Sequence, residues 1–357
     1  MSRAAAISRA DAGASSRFPG RRARILALIA ALAAGLLLAE IAYGPVRLTL
    51  DEIVGAVIGE AAPATTVILI EIRAPRALLA ILVGAALGLS GACLQGVLRN
   101  PLADPGLIGV SAGATVGAVS VIVLGEALFG GAPDVIRPYL LPVAAFFGAA
   151  AATGFVFFVA RGRGGVSVAT VILAGVAVNA IAGAFVGAMV YLSDDAQLRE
   201  LTFWTMGSLG GARWAVIGPT LIFAAPASLL LARRARGLDL FQLGERAARH
   251  SGIDVEREKR RIGALTALAV GAVTAAAGPI SFIGLVAPHI SRLLVGPNHA
   301  AILPGAALSG AALTLGADLL VRTAMPPAEP PIGLATALIG GPFFLWLIVS
   351  RMGRSDA

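Results

Sequence analysis

The sequence contains about ten separate stretches of mostly apolar residues, each about as long as the hydrocarbon core of a lipid bilayer is thick. One runs from Ile25 to Ala42 and another from Arg76 to Val97. A helix needs about 20 apolar residues to cross a bilayer, whereas a strand of a membrane barrel needs roughly ten and alternates apolar with polar side chains. Because these stretches are long and do not alternate, they predict an all-α polytopic membrane protein with about ten transmembrane helices.

The composition favours a membrane protein over a soluble one. Hydrophobic residues make up 57% of the 357 and charged residues 13%, with a mean hydropathy of +0.86, whereas soluble proteins carry about 25% charged residues. A transmembrane domain is expected over residues 24–350, after a basic, disordered cytoplasmic tail at 1–23 and before a cytoplasmic tail at 351–357. A signal peptide is the alternative for the first stretch, but that stretch is longer than a signal sequence needs. The expected spans are residues 24–43, 76–98, 106–124, 141–160, 166–191, 214–232, 261–277, 281–295, 304–322 and 332–350.

The basic residues predict the orientation. If both termini lie in the cytoplasm, 21 of the 28 Lys and Arg residues fall on the cytoplasmic side, as the positive-inside rule requires. The net charge of +8 therefore reflects topology, and no nucleic-acid partner is needed to explain it.

A weak repeat relates the two halves of the chain. Residues 100–102 and 106–110 follow the second span, and the similar residues 278–280 and 282–286 follow the seventh. Five spans in each half is an odd number, so two inverted five-helix halves are predicted, an arrangement common in transporters.

Few polar groups fall within the spans. Asp318 and Glu40 are the carboxylates, and Asp318 precedes Arg322 by about one helical turn, which predicts an ion pair within that helix. Asn179 is expected to hydrogen-bond a neighbouring helix, and lining of a transport pathway is the alternative. Such sparse charge argues against an ion-coupled secondary transporter, which is the rival class of function.

No catalytic constellation is present. The chain lacks the His-Glu-x-x-His motif, and Lys259 does not lie in a phosphate-binding loop, so any ATP must be used by another chain. Cys93 is the single cysteine and is expected to pack as a small apolar residue, while His250 and His299 are expected on the cytoplasmic surface. Neither an enzyme nor a metal site is predicted.

The longest cytoplasmic connection, residues 234–260, is expected to contact a partner. It predicts short helices, and its apolar residues are too many for a free loop. Burial against another subunit would explain Leu238, Leu240, Phe241 and Leu243.

Several motifs resemble, in the same order, those of the permease family of iron-chelate, haem and cobalamin (type II) ABC importers. The resemblance extends from about residue 45 to residue 350. The motifs are Arg-Ala-Pro-Arg at 73–76, Gly-Ala-Cys-Leu-Gln-Gly at 91–96, the segment 99–106, Gly-Val-Ser-Ala-Gly at 109–113, Leu-Gly-Glu-Arg-Ala-Ala at 243–248, the segment 278–285, Ala-Pro-His-Ile-Ser-Arg at 287–292 and Pro-Ile-Gly at 331–333.

The resemblance implies a non-catalytic, ten-helix subunit of the bacterial inner membrane. Such a subunit forms a homodimer around the pathway, above two cytoplasmic ATPase subunits that bind ATP and below a periplasmic binding protein. It also implies that Arg73, Arg76 and Arg322 on the outer face dock the binding protein. The implied ATPase-coupling residues are Leu243, Gly244, Glu245, Arg246, Ala247 and Ala248.

The cargo is the least constrained part of this interpretation. The segment 198–211 resembles haem permeases more than siderophore permeases, so haem is the expected cargo, with a ferric siderophore or cobalamin as the alternatives. His289 could touch haem iron as an imidazole, but the resemblance places a histidine there whatever the cargo. With Asn179, it is kept as a candidate pathway residue.

Overall fold

The computed structural model describes residues 19–162, 165–324 and 328–355, with side chains up to residue 345. A turn of π-helix spans Ile68–Arg73, and a 3-10 turn spans Pro105–Ile108. A two-residue antiparallel pair, β1 (Arg161–Gly162) with β2 (Gly165–Val166), is the one departure from the all-α prediction in these residues. The helices are α1 (Pro19–Ala42), α2 (Leu50–Ile58), α3 (Pro63–Val67), α4 (Ala74–Leu98), α5 (Val110–Phe129), α6 (Arg137–Val159), α7 (Val168–Leu192), α8 (Asp195–Thr205), α9 (Trp214–Ala232), α10 (Ala235–Gln242), α11 (Glu245–His250), α12 (Val255–Ala277), α13 (Ile283–Val295), α14 (His299–Ala324) and α15 (Ile332–Ser355).

Eight of the described helices are long and apolar enough to cross a membrane. Two further apolar helical segments are shorter: α13, and the part of α15 whose side chains are described, Ile332–Leu345. Each of the ten predicted spans overlaps one of these helices. The eighth predicted span, 281–295, is confirmed to within two residues, since α13 covers Ile283–Val295. Its 13 residues rise only about 20 Å, less than the ~30 Å hydrocarbon core. The residues before α13 are not helical, and Gly278, with a φ of 70°, follows the end of α12 at Ala277, where the seventh predicted span also ends.

Both chain ends are more helical than predicted. Residues 1–18 of the expected tail lie outside the described residues, but α1 already begins at Pro19, where a proline fits the first helical turn. At the other end, α15 continues to Ser355, so residues 351–355 are helical, and residues 356–357 lie outside the described part.

The helix α4 forms the centre of the molecule and packs closely against α14. A Cβ added at Gly84 would lie 2.2 Å from the carbonyl oxygen of Gly310, and one added at Gly88 would lie 2.2 Å from that of Ala306. Because glycine lets the two backbones touch, the helices cross without a layer of side chains between them.

The packing of the two halves agrees with the predicted repeat. The break before α5 packs on α7, where a Cβ added at Gly175 would meet the carbonyl oxygen of Leu107, and the break before α13 packs on α15, where Gly340 lies under the ring of Phe282. The breaks also meet each other, because a Cβ added at Gly284 would lie 2.8 Å from Asp104 Oδ2. Non-helical backbone at this depth is tolerated where protein surrounds it.

Candidate functional site

At the outer end of the bundle, the three predicted docking arginines form a buried cluster. Arg73, Arg76 and Arg322 are 2%, 8% and 3% exposed. Arg73 donates hydrogen bonds to the carbonyl oxygens of Ile41 and Val46. Its charge therefore holds the end of α1 and the following loop against α4.

Arg76 makes the strongest contacts of the cluster. Its Nε lies 2.8 Å from Asp318 Oδ2 and its Nη2 lies 3.0 Å from Asp318 Oδ1, while its Nη1 lies 2.6 Å from Glu329 Oε2. The predicted pair of Asp318 with Arg322 is therefore wrong. The reason is geometric: the planar guanidinium of Arg76 meets both oxygens of Asp318 from the facing helix α4.

Arg322 pairs with α1 instead. Its Nη2 lies 3.1 Å from Glu40 Oε1 and donates to the Glu40 carbonyl oxygen at 2.6 Å. Glu40, expected at the membrane boundary, is fully buried. The outer cluster, defined as Arg73, Arg76, Arg322, Glu40, Asp318 and Glu329, thus joins α1, α4 and α14, and of these six only Glu329 is well exposed, at 37% of its side chain.

On the opposite face, α10 and α11 form the candidate coupling surface. Leu238 and Phe241 are fully buried in this subunit, so the prediction that they bury against a partner is wrong. Leu238 packs against the ends of α4 and α14, whereas Phe241 packs with Ala248 of α11 and Val255 of α12. By contrast, Leu243 is 72% exposed and precedes Gly244, whose φ of 104° turns the chain into α11.

Within the predicted coupling residues, the side chains divide between the two faces of α11. Arg246 is exposed, Ala247 is half-buried and Ala248 is fully buried. Glu245 holds α11 to α12 through Lys259, whose Nζ lies 2.9 Å from Glu245 Oε1. The exposed part of the coupling surface is therefore Leu243 with Arg246.

A buried histidine connects this surface to the bundle. His299, predicted on the surface, is 1% exposed, and its Nδ1 lies 2.6 Å from Asp239 Oδ1, which also accepts from the His299 backbone N–H at 2.9 Å. The carboxylate of α10 thus caps the first residue of α14, where a helix favours negative charge. His250 is exposed, as predicted.

The two candidate pathway residues lie in different surroundings. Asn179 is exposed on α7, and its Nδ2 donates to the carbonyl oxygens of Gly106 at 3.1 Å and Gly175 at 2.8 Å. The predicted hydrogen bond to another element is confirmed. His289 is 7% exposed in α13, and its ring meets that of Phe343 edge to face with centroids 6.1 Å apart.

The described part of the chain contains neither a cluster of metal-binding side chains nor an accessible thiol. No set of three or more His, Cys, Asp or Glu side chains there is placed to hold a metal ion. Cys93 is fully buried in α4 with its Sγ 3.8 Å from the Leu231 carbonyl oxygen, which confirms that it packs as a small apolar residue.

Sequence reasoning missed two acidic residues of these sites. Glu329 binds Arg76 across 253 positions of sequence and Asp239 binds His299 across 60. The sequence shows only that Glu329 and Asp239 are acidic residues in connections between predicted spans, and this does not identify the residue that each of them binds.

A helical bundle with two broken segments, a charged cluster at one end and a short-helix surface at the other defines the membrane subunit of a transporter. The chain belongs to the FecCD transport family, which matches residues 28–350.

Two relatives and one solved structure are similar to this chain over most of its length. It is 46% identical over 282 residues to the hemin transport system permease protein HmuU of Yersinia pestis, covering 79% of this chain and 83% of that protein. It is 41% identical over 289 residues to the cobalamin import system permease protein BtuC of Halobacterium salinarum, covering 81% and 75%. A solved structure described as an inward-facing conformation of a metal-chelate type ABC transporter matches with a TM-score of 0.80 and 30% identity, covering 92% of this chain and 99% of that one.

The family resemblance is therefore confirmed. The chain is a multi-pass permease subunit of a bacterial ABC importer for iron chelates, haem or cobalamin, a non-catalytic transport component. An ion-coupled secondary transporter is excluded by this membership.

Proposed function

We propose that this permease carries haem from the periplasm to the cytoplasm. The observation that carries the proposal is the 46% identity to a hemin permease across most of both chains. The segment 198–211, which resembles haem permeases, adds to it. Cobalamin is the second candidate, because the permease of a cobalamin system is 41% identical.

The proposed assembly contains two copies of the chain, two ATPase subunits that bind ATP and one periplasmic binding protein. The positive-inside distribution supports cytoplasmic termini in the inner membrane. Support for a second copy comes from α7, whose Gly183 and Gly187 have no other atom within 4 Å of an added Cβ. In membranes, such small-residue ridges allow close helix contact, and this one is not used within the subunit.

The proposed pathway follows the exposed faces of α7 and α15 at the dimer axis. Leu173 and Ile181 of α7 and Leu338 of α15 are each about two thirds exposed. An apolar passage suits a large, flat cargo that must be released without tight binding. Asn179 lies on this exposed face of α7, whereas the burial of His289 argues against a role as an iron ligand.

The proposed ATPase contact is made by Leu243 and Arg246, the exposed members of the segment 243–248. Leu243 lies in the turn between α10 and α11, and Arg246 lies on α11; an exposed apolar and an exposed cationic side chain this close together are suited to insertion into a cleft of another subunit. Movement of the ATPase subunits would then reach the bundle through α10 and α11 and change the access of the pathway.

The proposed docking of the binding protein takes place above the outer cluster. Because Arg76 and Arg322 are already paired with carboxylates of this chain, acidic groups of the binding protein that bind either of them must displace a carboxylate, whereas Arg73 hydrogen-bonds backbone carbonyl oxygens. Glu329 is the member best placed for displacement, since it is the most exposed partner of Arg76.

Uptake into liposomes tests the proposed cargo. The liposomes hold this chain with its ATPase, and haem, cobalamin or a ferric siderophore is supplied with the binding protein. ATP-dependent uptake of haem, lost when the ATPase cannot hydrolyse ATP, is the expected result. Uptake of cobalamin or siderophore without haem would disprove the haem assignment.

A further inference from the structure

A groove lies between α6 and α12, near the ends where both helices approach the cytoplasmic surface. Its volume is about 550 Å³, within the range of about 300–1,000 Å³ that is typical of ligand sites. Its walls are mostly apolar and its mouth is basic. The lining includes Thr153, Phe157, Arg161, Arg260, Ala264 and Leu268.

Two glycines shape the groove. The ring of Phe157 lies directly on α12 at Gly263, where an added Cβ would be 2.3 Å from a ring carbon. Gly154 has no other atom within 4 Å of an added Cβ, so the wall formed by α6 remains open beside it. The groove is therefore formed by the packing of the two helices, with Phe157 as part of its floor.

Both arginines at the mouth are exposed and available to an anion. Among the residues that the structure describes, neither Arg161 nor Arg260 has a carboxylate within ion-pair distance, and Arg260 Nε donates only to the Glu256 carbonyl oxygen at 3.3 Å. The adjacent Lys259, by contrast, is compensated by Glu245 at 2.9 Å. Two uncompensated charges thus lie where an apolar groove opens.

A buried polar group inside the groove also lacks a partner. Thr153 is 3% exposed, and its hydroxyl makes no hydrogen bond within the described structure. A buried hydroxyl normally finds a partner, because leaving it unbonded costs free energy. The hydroxyl oxygen is itself inaccessible, so a molecule in the groove would reach it only after a change of the Thr153 rotamer.

We propose that the groove binds an anionic phospholipid of the cytoplasmic leaflet. Its phosphate lies between Arg161 and Arg260, and one acyl chain lies against Phe157, Ala264 and Leu268. Basic pockets between transmembrane helices on this side of a membrane are known to favour anionic lipids. The site rests on the cytoplasmic orientation proposed above and does not depend on the cargo.

The bound lipid would brace the base of the bundle next to the coupling surface. At this end α6 leads into the β1–β2 hairpin, and Lys259 of α12 donates to the Val166 carbonyl oxygen of β2 at 2.8 Å. The same helix receives Glu245 of α11 through Lys259. A lipid that joins α6 to α12 therefore stabilises the platform on which α11 rests.

Lipid titration followed by native mass spectrometry tests the site. The purified full-length chain is delipidated in mild detergent and titrated with phosphatidylglycerol, which is anionic, or phosphatidylethanolamine, which has no net charge. The wild-type chain is expected to prefer phosphatidylglycerol. Replacing both mouth arginines, Arg161→Gln with Arg260→Gln, is expected to weaken phosphatidylglycerol binding by roughly 30-fold, from the electrostatic contribution of two basic residues near a membrane surface.

Two further variants keep the test specific. Arg233→Gln with Arg236→Gln removes two exposed arginines of the same face outside the groove and should leave binding unchanged. Ala264→Trp fills the groove while keeping both charges, and should also weaken binding. The proposal would be overturned if the groove pair (Arg161→Gln with Arg260→Gln) and the control pair (Arg233→Gln with Arg236→Gln) lost the same amount of phosphatidylglycerol affinity. It would also be overturned if the groove pair or Ala264→Trp bound phosphatidylglycerol as tightly as the wild-type chain. Because no cargo is present, this outcome is independent of the uptake experiment.

Discussion

The arginines at the outer ends of α4 and α14 are neutralised within the subunit. Arg76 is held by Asp318 and Glu329, and Arg322 by Glu40. Removing a charged group from water is costly, and a buried ion pair recovers this cost only while both partners are present. The outer cluster is therefore stable as a set and sensitive to the loss of one member.

Arg76→Gln is expected to destabilise the subunit by about 3–5 kcal/mol, because it leaves the carboxylate of Asp318 buried without its cation. The apparent melting temperature in detergent should fall accordingly. Adding Asp318→Asn to Arg76→Gln should restore most of the lost stability.

Arg199→Gln provides the matched control, since Arg199 is exposed on the same face and its replacement should change stability little. A melting temperature of Arg76→Gln equal to that of this control would show that the cluster does not stabilise the fold.

The sequence identified the arginines but not their partners. Asp318 was assigned to Arg322 because the two are close along one helix, whereas its true partner Arg76 lies 242 positions away. Pairing across that distance depends on how α4 and α14 cross, which hydropathy does not encode. The family resemblance placed Arg73, Arg76 and Arg322 on the outer face as docking residues, and it did not predict that neighbouring helices bury them.

At the scale of helices, local sequence predicted most of the architecture. Apolar length identified the long spans and also the short span of α13. The spacing of Gly84 and Gly88 on α4 does not identify the helix they contact, which the structure shows to be α14. Gly183 and Gly187 are likewise four positions apart on α7, and only the structure reveals that this ridge is unused within the subunit.

Bulky side chains on that ridge are expected to disrupt the proposed dimer. Gly183→Leu with Gly187→Leu should raise the dissociation constant about 5- to 150-fold, because forcing large groups into a close contact costs about 1–3 kcal/mol. Cross-linking in membranes and native mass spectrometry measure the dimer. Gly218→Leu on α9, where an added Cβ also has no neighbour within 4 Å, is the control; a dimer that persists in the double variant would place the subunit contact elsewhere.

At the scale of the whole molecule, α14 connects the two candidate sites. Its first residue, His299, is bound to Asp239 of α10, and its last turns carry Asp318 and Arg322 of the outer cluster. With 26 residues the helix is about 39 Å long, and backbone contact with α4 stiffens it. The proposed docking site and the proposed ATPase contact are thus joined by one rigid element, which suits an importer that must couple them.

The exposed carboxylate of the outer cluster should compete with the binding protein. Glu329→Gln removes one partner of Arg76 but leaves the two-bond pair with Asp318, so the fold is retained. We expect the binding protein to bind up to about fivefold more tightly, because docking no longer has to break the partly exposed ion pair between Glu329 and Arg76, which is worth up to about 1 kcal/mol. Surface plasmon resonance with the chain in lipid nanodiscs measures this affinity.

Glu60→Gln removes the same charge from an exposed position of the outer face and separates competition from general repulsion. If the two variants bind equally tightly, long-range charge alone explains the gain and Arg76 is not the docking contact. If neither changes the affinity, acidic groups of the binding protein do not reach the outer cluster. A gain in Glu329→Gln alone would mean that the cluster, closed within the free subunit, opens at Glu329 to receive its partner.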